Sequence, residues 1–254
     1  PFRHPLEAAL QARSVAIATG QPTVAGFGPG ATVLQRSMLG APYASPLTAV
    51  REYLTVVRGL LEGRPVELEG EYYPCRVHMG WPPVPGIELG LGVLRPAMAR
   101  LAGEIADVAI TWLTPPGYLR EVIVPALRAG AERAGRSAPR VAAMVPVALA
   151  APGRDPVDLV LAGNSGHLAM PHYQDMLRRS GVEVDPEDPA VTAKGVLESR
   201  AFVFGGPDEL RDAVAEYADA GVDEIVLNVT GVCQRYGLPV AQAELETILA
   251  EVAA

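Results

Sequence analysis

The segment Ile87 to Trp112, IELGLGVLRPAMARLAGEIADVAITW, constrains the fold more than any other stretch, because it reads as strand, tight loop, helix and next strand with no residue left over. Ile87 to Leu91 is a short apolar run interrupted and closed by Gly90 and Gly92. Pro96 has the fixed φ suited to a first helical position, and Met98, Leu101, Ala102 and Ile105 then repeat at the spacing of one helix face. Val108 to Trp112 is again continuously apolar, the pattern of a parallel strand buried on both sides. A right-handed βαβ unit is the economical reading. Its loop, Gly92-Val93-Leu94-Arg95, gathers backbone N–H groups, the positive end of a helix dipole and a guanidinium, a combination suited to phosphate. A barrel turn without a ligand uses the same residue types, so this pattern alone leaves both readings open.

The same grammar continues on both sides. Pro5 to Thr19 is helical in pattern, and Thr23 to Gly28 is a strand ending in the glycine cluster Gly26, Gly28 and Gly30. Ser45 and Pro46 read as cap and first turn of a helix with Leu47, Val50, Leu54, Val57 and Leu61 on one face, stopped by Gly63. Between Arg64 and Pro85, VELEGEYYP alternates around Glu69-Gly70 like a small hairpin, and Trp81-Pro82-Pro83 is extended loop. Beyond Trp112 the pattern predicts a helix with Leu119, Ile123, Leu127 and Ala131 aligned, then a strand from Val141 to Ala150 in which Pro146 implies a bulge or irregular end. From Ala151 to about Ala201 periodicity is poor, which predicts an irregular insertion over 151–200, with one short helix around Tyr173 to Ser180, serving as a substrate lid. Gly205-Gly206-Pro207 opens a helix with Leu210, Val214, Tyr217 and Ala218 inward. Glu224 to Val229 is a strand, and Leu245, Ile248, Leu249 and Val252 line a last helix. Parallel-strand candidates lie around Val24, Leu89, Ile110, Val145 and Val226, five against the eight of a closed barrel. The expectation is an α/β fold in a single barrel domain over 1–254.

Composition narrows the function. A chain of 254 residues with 49% hydrophobic side chains can bury a full core. Its 21 basic and 29 acidic residues give a net charge of -8, which argues against a general binder of nucleic acid or anionic membrane. No apolar run reaches the roughly 20 residues of a membrane span and no signal pattern opens the chain, so a cytoplasmic protein is expected. Cys75 and Cys233 fall outside any CxxC or zinc spacing and read as free thiols. No metal site and no GxSxG nucleophile elbow is expected.

The residues that carry chemistry are sparse. GFGPG is not the GxGxxG of a dinucleotide fold, and a plain turn explains it as well as a ligand does. Thr111 and Trp112, at a strand end, are candidates for contact with a cofactor or substrate, although an aromatic capping the core reads the same way. His167, His172 and Tyr173 sit in the expected lid as candidate proton donors or substrate contacts, against the reading of a solvated loop. His78 is a weaker candidate. Asp107 lies on the N-terminal side of its strand, where a structural role is expected. An isomerase or aldolase barrel would want a lysine or glutamate at a strand end, and the one lysine, Lys194, lies in the irregular segment.

Taken in order, RHP at Arg3 to Pro5, AGFGPG at Ala25 to Gly30, VREYLTVVRGLLEGRPVELEGEYY from Val50, LAGEIADVAITW at Leu101 to Trp112, TPPGYLREVIVPALRAGAERAGR from Thr114 to Arg136, and AGVDEIVL at Ala220 to Leu227 resemble the luciferase-like oxidoreductases. These are TIM (β/α)8-barrel enzymes that use FMN or the deazaflavin F420. The similarity covers nearly the whole chain, weakest from Ala151 to Arg200, and the Thr114 to Arg136 run is more similar to the F420-dependent branch.

The resemblance implies F420, with FMN the alternative. It places the cofactor phosphate near Gly92, Val93, Leu94 and Arg95, its chain close to Gly28, Pro29 and Gly30, and Thr111 and Trp112 beside it. It also implies a homodimer acting on a small organic substrate, by hydride transfer or, with reduced FMN, by oxygenation. In this family an RHP-like segment follows the third strand, so the chain is expected to carry strands 4 to 8, its N-terminal units missing or truncated. The competing expectation is a degenerate, non-catalytic flavin-binding or structural partner subunit. His4 is expected to fix the start of its helix. Ala31 and Thr32 stand where several F420-dependent members carry an acid, and Asp107-Val108 replaces a usual Asp-Gly. In this family the cofactor does the hard chemistry, so few acids and bases are needed.

Overall fold

A computed structural model describes residues 2–84 and 86–252. Pro85, the expected end of the connecting stretch, lies outside the described residues. The chain divides into two compact units: the first reaches to Ile110 and includes Ala126–Pro139, and the second comprises Thr111–Pro125 and the chain from Arg140. In chain order the elements are α1 (Pro5–Thr19), β1 (Thr23–Phe27), α2 (Thr32–Leu39), α3 (Pro46–Leu61), β2 (Val66–Leu68), β3 (Cys75–Val77), β4 (Ile87–Gly92), α4 (Pro96–Ile105) and β5 (Val108–Trp112). There follow α5 (Pro116–Tyr118), a π-helical turn (Leu119–Ile123), α6 (Val124–Arg133), β6 (Arg140–Leu149), α7 (Pro156–Leu168), α8 (Pro171–Arg179) and α9 (Pro189–Glu198). The last are β7 (Val203–Gly205), α10 (Pro207–Asp219), β8 (Glu224–Asn228), α11 (Thr230–Tyr236) and α12 (Leu238–Val252).

In the first unit, α1 starts where the sequence predicts it. His4 Nδ1 accepts the Leu6 N–H at 3.2 Å, Pro5 fills the first turn, and Gly20 ends the helix at φ 64°. Its small face, Ala8, Ala9, Ala12 and Ala16, is buried and α1 packs on α3. Ser45 Oγ accepts the Thr48 N–H at 3.2 Å to start α3, whose Val50, Leu54 and Val57 are buried as expected; Leu47, in the first turn, is instead exposed. β1, β4 and β5 pair in parallel, Thr23↔Ile87 to Phe27↔Leu91 and Gly90↔Val108 to Gly92↔Ile110. Gly26 and Gly90 face the Ile110 side chain, which would lie 2.9 and 2.7 Å from a Cβ at either position. The missing side chains therefore make the slot that Ile110 fills.

The hairpin of β2 and β3 is antiparallel, with residues 69–74 as its loop, wider than the Glu69-Gly70 turn expected. The reason is Glu52 of α3. Its carboxylate accepts the N–H groups of Glu71, Tyr72 and Tyr73 at 2.9, 2.8 and 2.9 Å and so fixes an open loop conformation.

In the second unit β6 pairs in parallel twice, Ala142 to Pro146 with β8 and Val147 to Leu149 with β7. Pro146 sits where the partner changes, so the strand continues without the irregular end expected of it. β7 was not foreseen, because three residues carry no periodic signal. The described residues thus hold six strands in parallel ladders, against five expected. The stretch expected to be irregular is helical as well. Asp155 and Asp188 cap α7 and α9 by accepting the N–H groups of Val157 and Ala190, and α8 begins at Pro171. What hid α7 was its small-residue face. Gly163 packs directly against the backbone of Gly231 in α11, so close approach takes the place of an apolar stripe.

Candidate functional site

In the first unit, the two glycine-bearing loops leave the C-terminal ends of the paired strands β1 and β4. Gly28-Pro29-Gly30 is clamped by Gln35 of α2, which is 3% exposed. Its Nε2 donates to the carbonyls of Pro29 and Gly30 at 2.9 and 3.0 Å, and its Oε1 accepts the Tyr43 N–H at 3.0 Å. The sequence reading missed Gln35 because α2 turns its apolar residues outward; Val33, Leu34 and Met38 are all exposed. Gly30 adopts φ 75°, and the Phe2 ring lies 2.7 Å from where its Cβ would be. The close approach expected of a cofactor at Gly30 is therefore made by Phe2. Gly28 differs, with no atom within 4 Å of a Cβ position.

At the end of β4 the expected donor set is smaller than the sequence suggests. Val93 is buried and its N–H donates to the Ile110 carbonyl at 2.8 Å, continuing the ladder, so it is not available to a phosphate. Leu94 is half-buried. Arg95 is exposed and occupies the N-cap of α4 at φ −134°, ψ 157°, with no side-chain cap. Pro96 has no N–H, which leaves the first-turn amides of Ala97 and Met98 without intrahelical acceptors. A guanidinium, two outward amides and the positive end of a ten-residue helix are a donor set that fits a phosphate. Asp107 takes no part in it: the carboxylate accepts the Leu89 N–H at 2.9 Å and pairs with Arg58 and Arg136 at 3.0 Å each.

In the second unit, Trp112 ends β5 and Leu113, fully buried, takes φ 53°, uncommon for a residue with a side chain. The turn is held by Thr114, whose hydroxyl donates to the Trp112 carbonyl at 3.0 Å. The buried Tyr217 hydroxyl bridges the carbonyls of Thr114 and Arg200 at 3.1 and 2.9 Å. Thr111 is 2% exposed.

This turn aims the indole at α7 and α8, where the three proton-donor candidates meet it. His167 stacks on Trp112 with centroids 5.2 Å apart and 32° between planes, Tyr173 meets His167 edge-on at 5.1 Å, and His172 lies 5.0 Å from Tyr173. Burial lowers the pKa of His167, favouring neutral imidazole, and pushes the Tyr173 phenol up to about 12. Asn164, one turn before His167, is 2% exposed and went unforeseen; only its position three residues before His167 on a helix signals it. His78 is exposed, and His4 caps α1. Among the described residues no group of three or more His, Cys, Asp or Glu could hold a metal, and no helix is long and apolar enough to cross a membrane.

The profile of the family described as luciferase-like monooxygenase matches residues 1–224. The chain is 28% identical over 261 residues to the 5,10-methylenetetrahydromethanopterin reductase of Methanopyrus kandleri, covering 89% of this chain and 73% of that protein. It is 28% identical to the F420-dependent glucose-6-phosphate dehydrogenase of Mycolicibacterium gilvum, covering 78% of this chain and 59% of that one, less than two thirds of its length. The solved structure of the coenzyme F420-dependent tetrahydromethanopterin reductase from Methanopyrus kandleri matches with a TM-score of 0.69 at 24% identity, over 95% of this chain and 80% of that chain.

Proposed function

The chain belongs to the luciferase-like monooxygenase family, and from that premise we propose that it is an oxidoreductase that holds F420 noncovalently and passes hydride between it and a small organic substrate. The observation that carries this reading is the uncapped start of α4 beside Arg95, set at the C-terminal end of β4 next to the open face of Gly28. The F420-dependent relative supports the choice of cofactor.

Arg95 and the amides of Ala97 and Met98 would hold the phosphate, and Gly28 would let the adjoining chain lie against backbone. When bound, F420 supplies a two-electron hydride carrier, and FMN in its place supplies electrons to oxygen. Neutral His167 carries a lone pair on one ring nitrogen, so the imidazole can take the proton released when a substrate hydroxyl carbon gives up hydride. Tyr173 stays a phenol and can only donate near pH 7. The helices of residues 151–200 would cover the substrate and exclude water. The same reading makes the protein a cytoplasmic homodimer.

Absorbance titration of the purified chain with F420 and with FMN tests the proposal. Saturable F420 binding, with substrate-dependent bleaching or recovery of its absorbance, is expected. Tighter FMN binding would shift the reading to an oxygenase, binding without turnover of any donor to a non-catalytic subunit, and binding of neither would overturn it.

A further inference from the structure

Gln35 is a buried polar side chain of the first unit whose bonds all go to backbone. The Tyr43 N–H can only donate, so the atom facing it at 3.0 Å is Oε1, and the other end of the amide must be the NH2 group. That group meets the Pro29 and Gly30 carbonyls at 2.9 and 3.0 Å, so two adjacent carbonyls are held on one nitrogen. Gly30, at φ 75°, sets the angle between their peptide planes. In a trans peptide the N–H points opposite the C=O, and no peptide bond among the described residues is cis. With both oxygens turned to Gln35, the N–H groups of Gly30 and Ala31 point away from it. Neither has an acceptor among the described residues, and the Phe2 ring packed on Gly30 supplies none.

Resting on the oxidoreductase reading above, which lays the cofactor against this loop, we propose that Gln35 is a positioning residue for the cofactor. It acts through the loop and touches no cofactor atom itself. By drawing the two carbonyls toward α2 it keeps their oxygens from facing the negative oxygens of a phosphate-bearing chain. The loop then turns donors outward in place of acceptors. The bond to Tyr43 holds the amide from behind, so that it cannot rotate to present its own oxygen to the loop. Glutamine suits this place where its nearest substitutes do not. A carboxylate would set oxygen against two carbonyls. An apolar side chain would leave both carbonyls unheld and the Tyr43 N–H unpaired.

The test uses the purified chain with F420 and FMN as probes, bound cofactor being measured by ultrafiltration, and the comparisons are made with whichever of the two binds. Gln35→Met removes the donors at similar volume and is expected to weaken binding about tenfold, near the worth of one hydrogen bond. Gln35→Glu separates positioning from packing. Its carboxylate cannot donate, but once protonated it has one O–H for a carbonyl, and burial beside carbonyls favours that form. Relative to the unmodified chain at each pH, its affinity is expected to recover several-fold from pH 8 to pH 5.5, and that of Gln35→Met to stay low. A side chain that only filled space would give no such recovery. Hydrogen exchange over residues 28–34 reads the loop directly: it should quicken in unliganded Gln35→Met while β4 is unchanged, and should slow when cofactor is added to the unmodified chain. Full affinity in either folded variant at pH 8, or no slowing by bound cofactor in the unmodified chain, overturns the role of Gln35 and leaves the oxidoreductase reading standing. An unmodified chain that binds neither F420 nor FMN overturns that reading, and the role of Gln35 with it.

Discussion

Arg58 of α3 spans both oxygens of Asp107, with Nη2 3.1 Å from Oδ1 and 3.0 Å from Oδ2, and the same guanidinium donates to the Ile105 carbonyl at 2.8 Å. Arg136 takes a second bond to Oδ1, and the Leu89 N–H one to Oδ2. One carboxylate thus ties α3, the end of α4 and the starts of β4 and β5. Asp107→Asn is expected to lower the stability of the first unit by about 2 kcal/mol, in the range of hydrogen bonds to charged groups. A urea midpoint measures this. Cofactor affinity should stay within about twofold, since the bonds lie at the strand ends opposite the glycine loops; a large loss of affinity at unchanged stability would give Asp107 a place in the chemistry.

Glu52 makes a different kind of tie. Burial pushes its carboxyl up, and the three N–H donors of Tyr72, Tyr73 and Glu71 outweigh that, so its pKa is lowered from 4.5. A depressed carboxyl contributes stability that is complete above its unfolded pKa and is lost as pH falls through the folded one. Glu52→Gln should therefore cost about 2 kcal/mol at pH 7, and should flatten the acid dependence below pH 4.5. Unfolding curves at pH 7 and pH 3.5 compare the two proteins. An unchanged midpoint at pH 7 would mean that the hairpin loop holds its shape without Glu52.

Regular elements were legible where local chemistry and burial agree. α1, α4 and β5 follow from a cap or a proline and an apolar face, so their limits could be read directly. The misses share a cause. β7 is too short for a period, α2 turns Val33 and Met38 outward, and α7 buries glycine against glycine, so that none shows an apolar pattern to a local reading. The site divides in the same way. The glycine loops were visible because strand ends punctuate a sequence. Phe2 over Gly30, the Val93 N–H paired with Ile110 and the orphaned Asn164 depend on residues distant in the chain, and no spacing encodes them.

The two glycines of the first loop should part company. Gly28→Ala meets no atom within 4 Å and is expected to fold normally, yet to weaken F420 binding if the cofactor lies against that face. Gly30→Ala sets a side chain at φ 75° and against Phe2, and should cost about 1–2 kcal/mol of stability. Arg95→Ala should weaken F420 about tenfold with little change in stability, the loss of one charge-assisted contact to phosphate. Unchanged affinity in both Gly28→Ala and Arg95→Ala would move the phosphate away from these loops.

His167 carries its own pH signature. Burial lowers its pKa below 6.5, so between the folded value and 6.5 the unfolded chain binds the extra proton. Stability must therefore fall as pH drops below 6.5, and the His167 contribution to that fall ends once pH passes below the folded pKa. His167→Phe keeps a flat ring between Trp112 and Tyr173 and has no proton to gain. Urea midpoints at pH 7.5 and pH 5.5 should differ more for the unmodified chain than for the variant. Equal differences would show that His167 is as free to charge in the folded protein as in the unfolded chain, and the neutral imidazole assigned to the proton step would lose its basis.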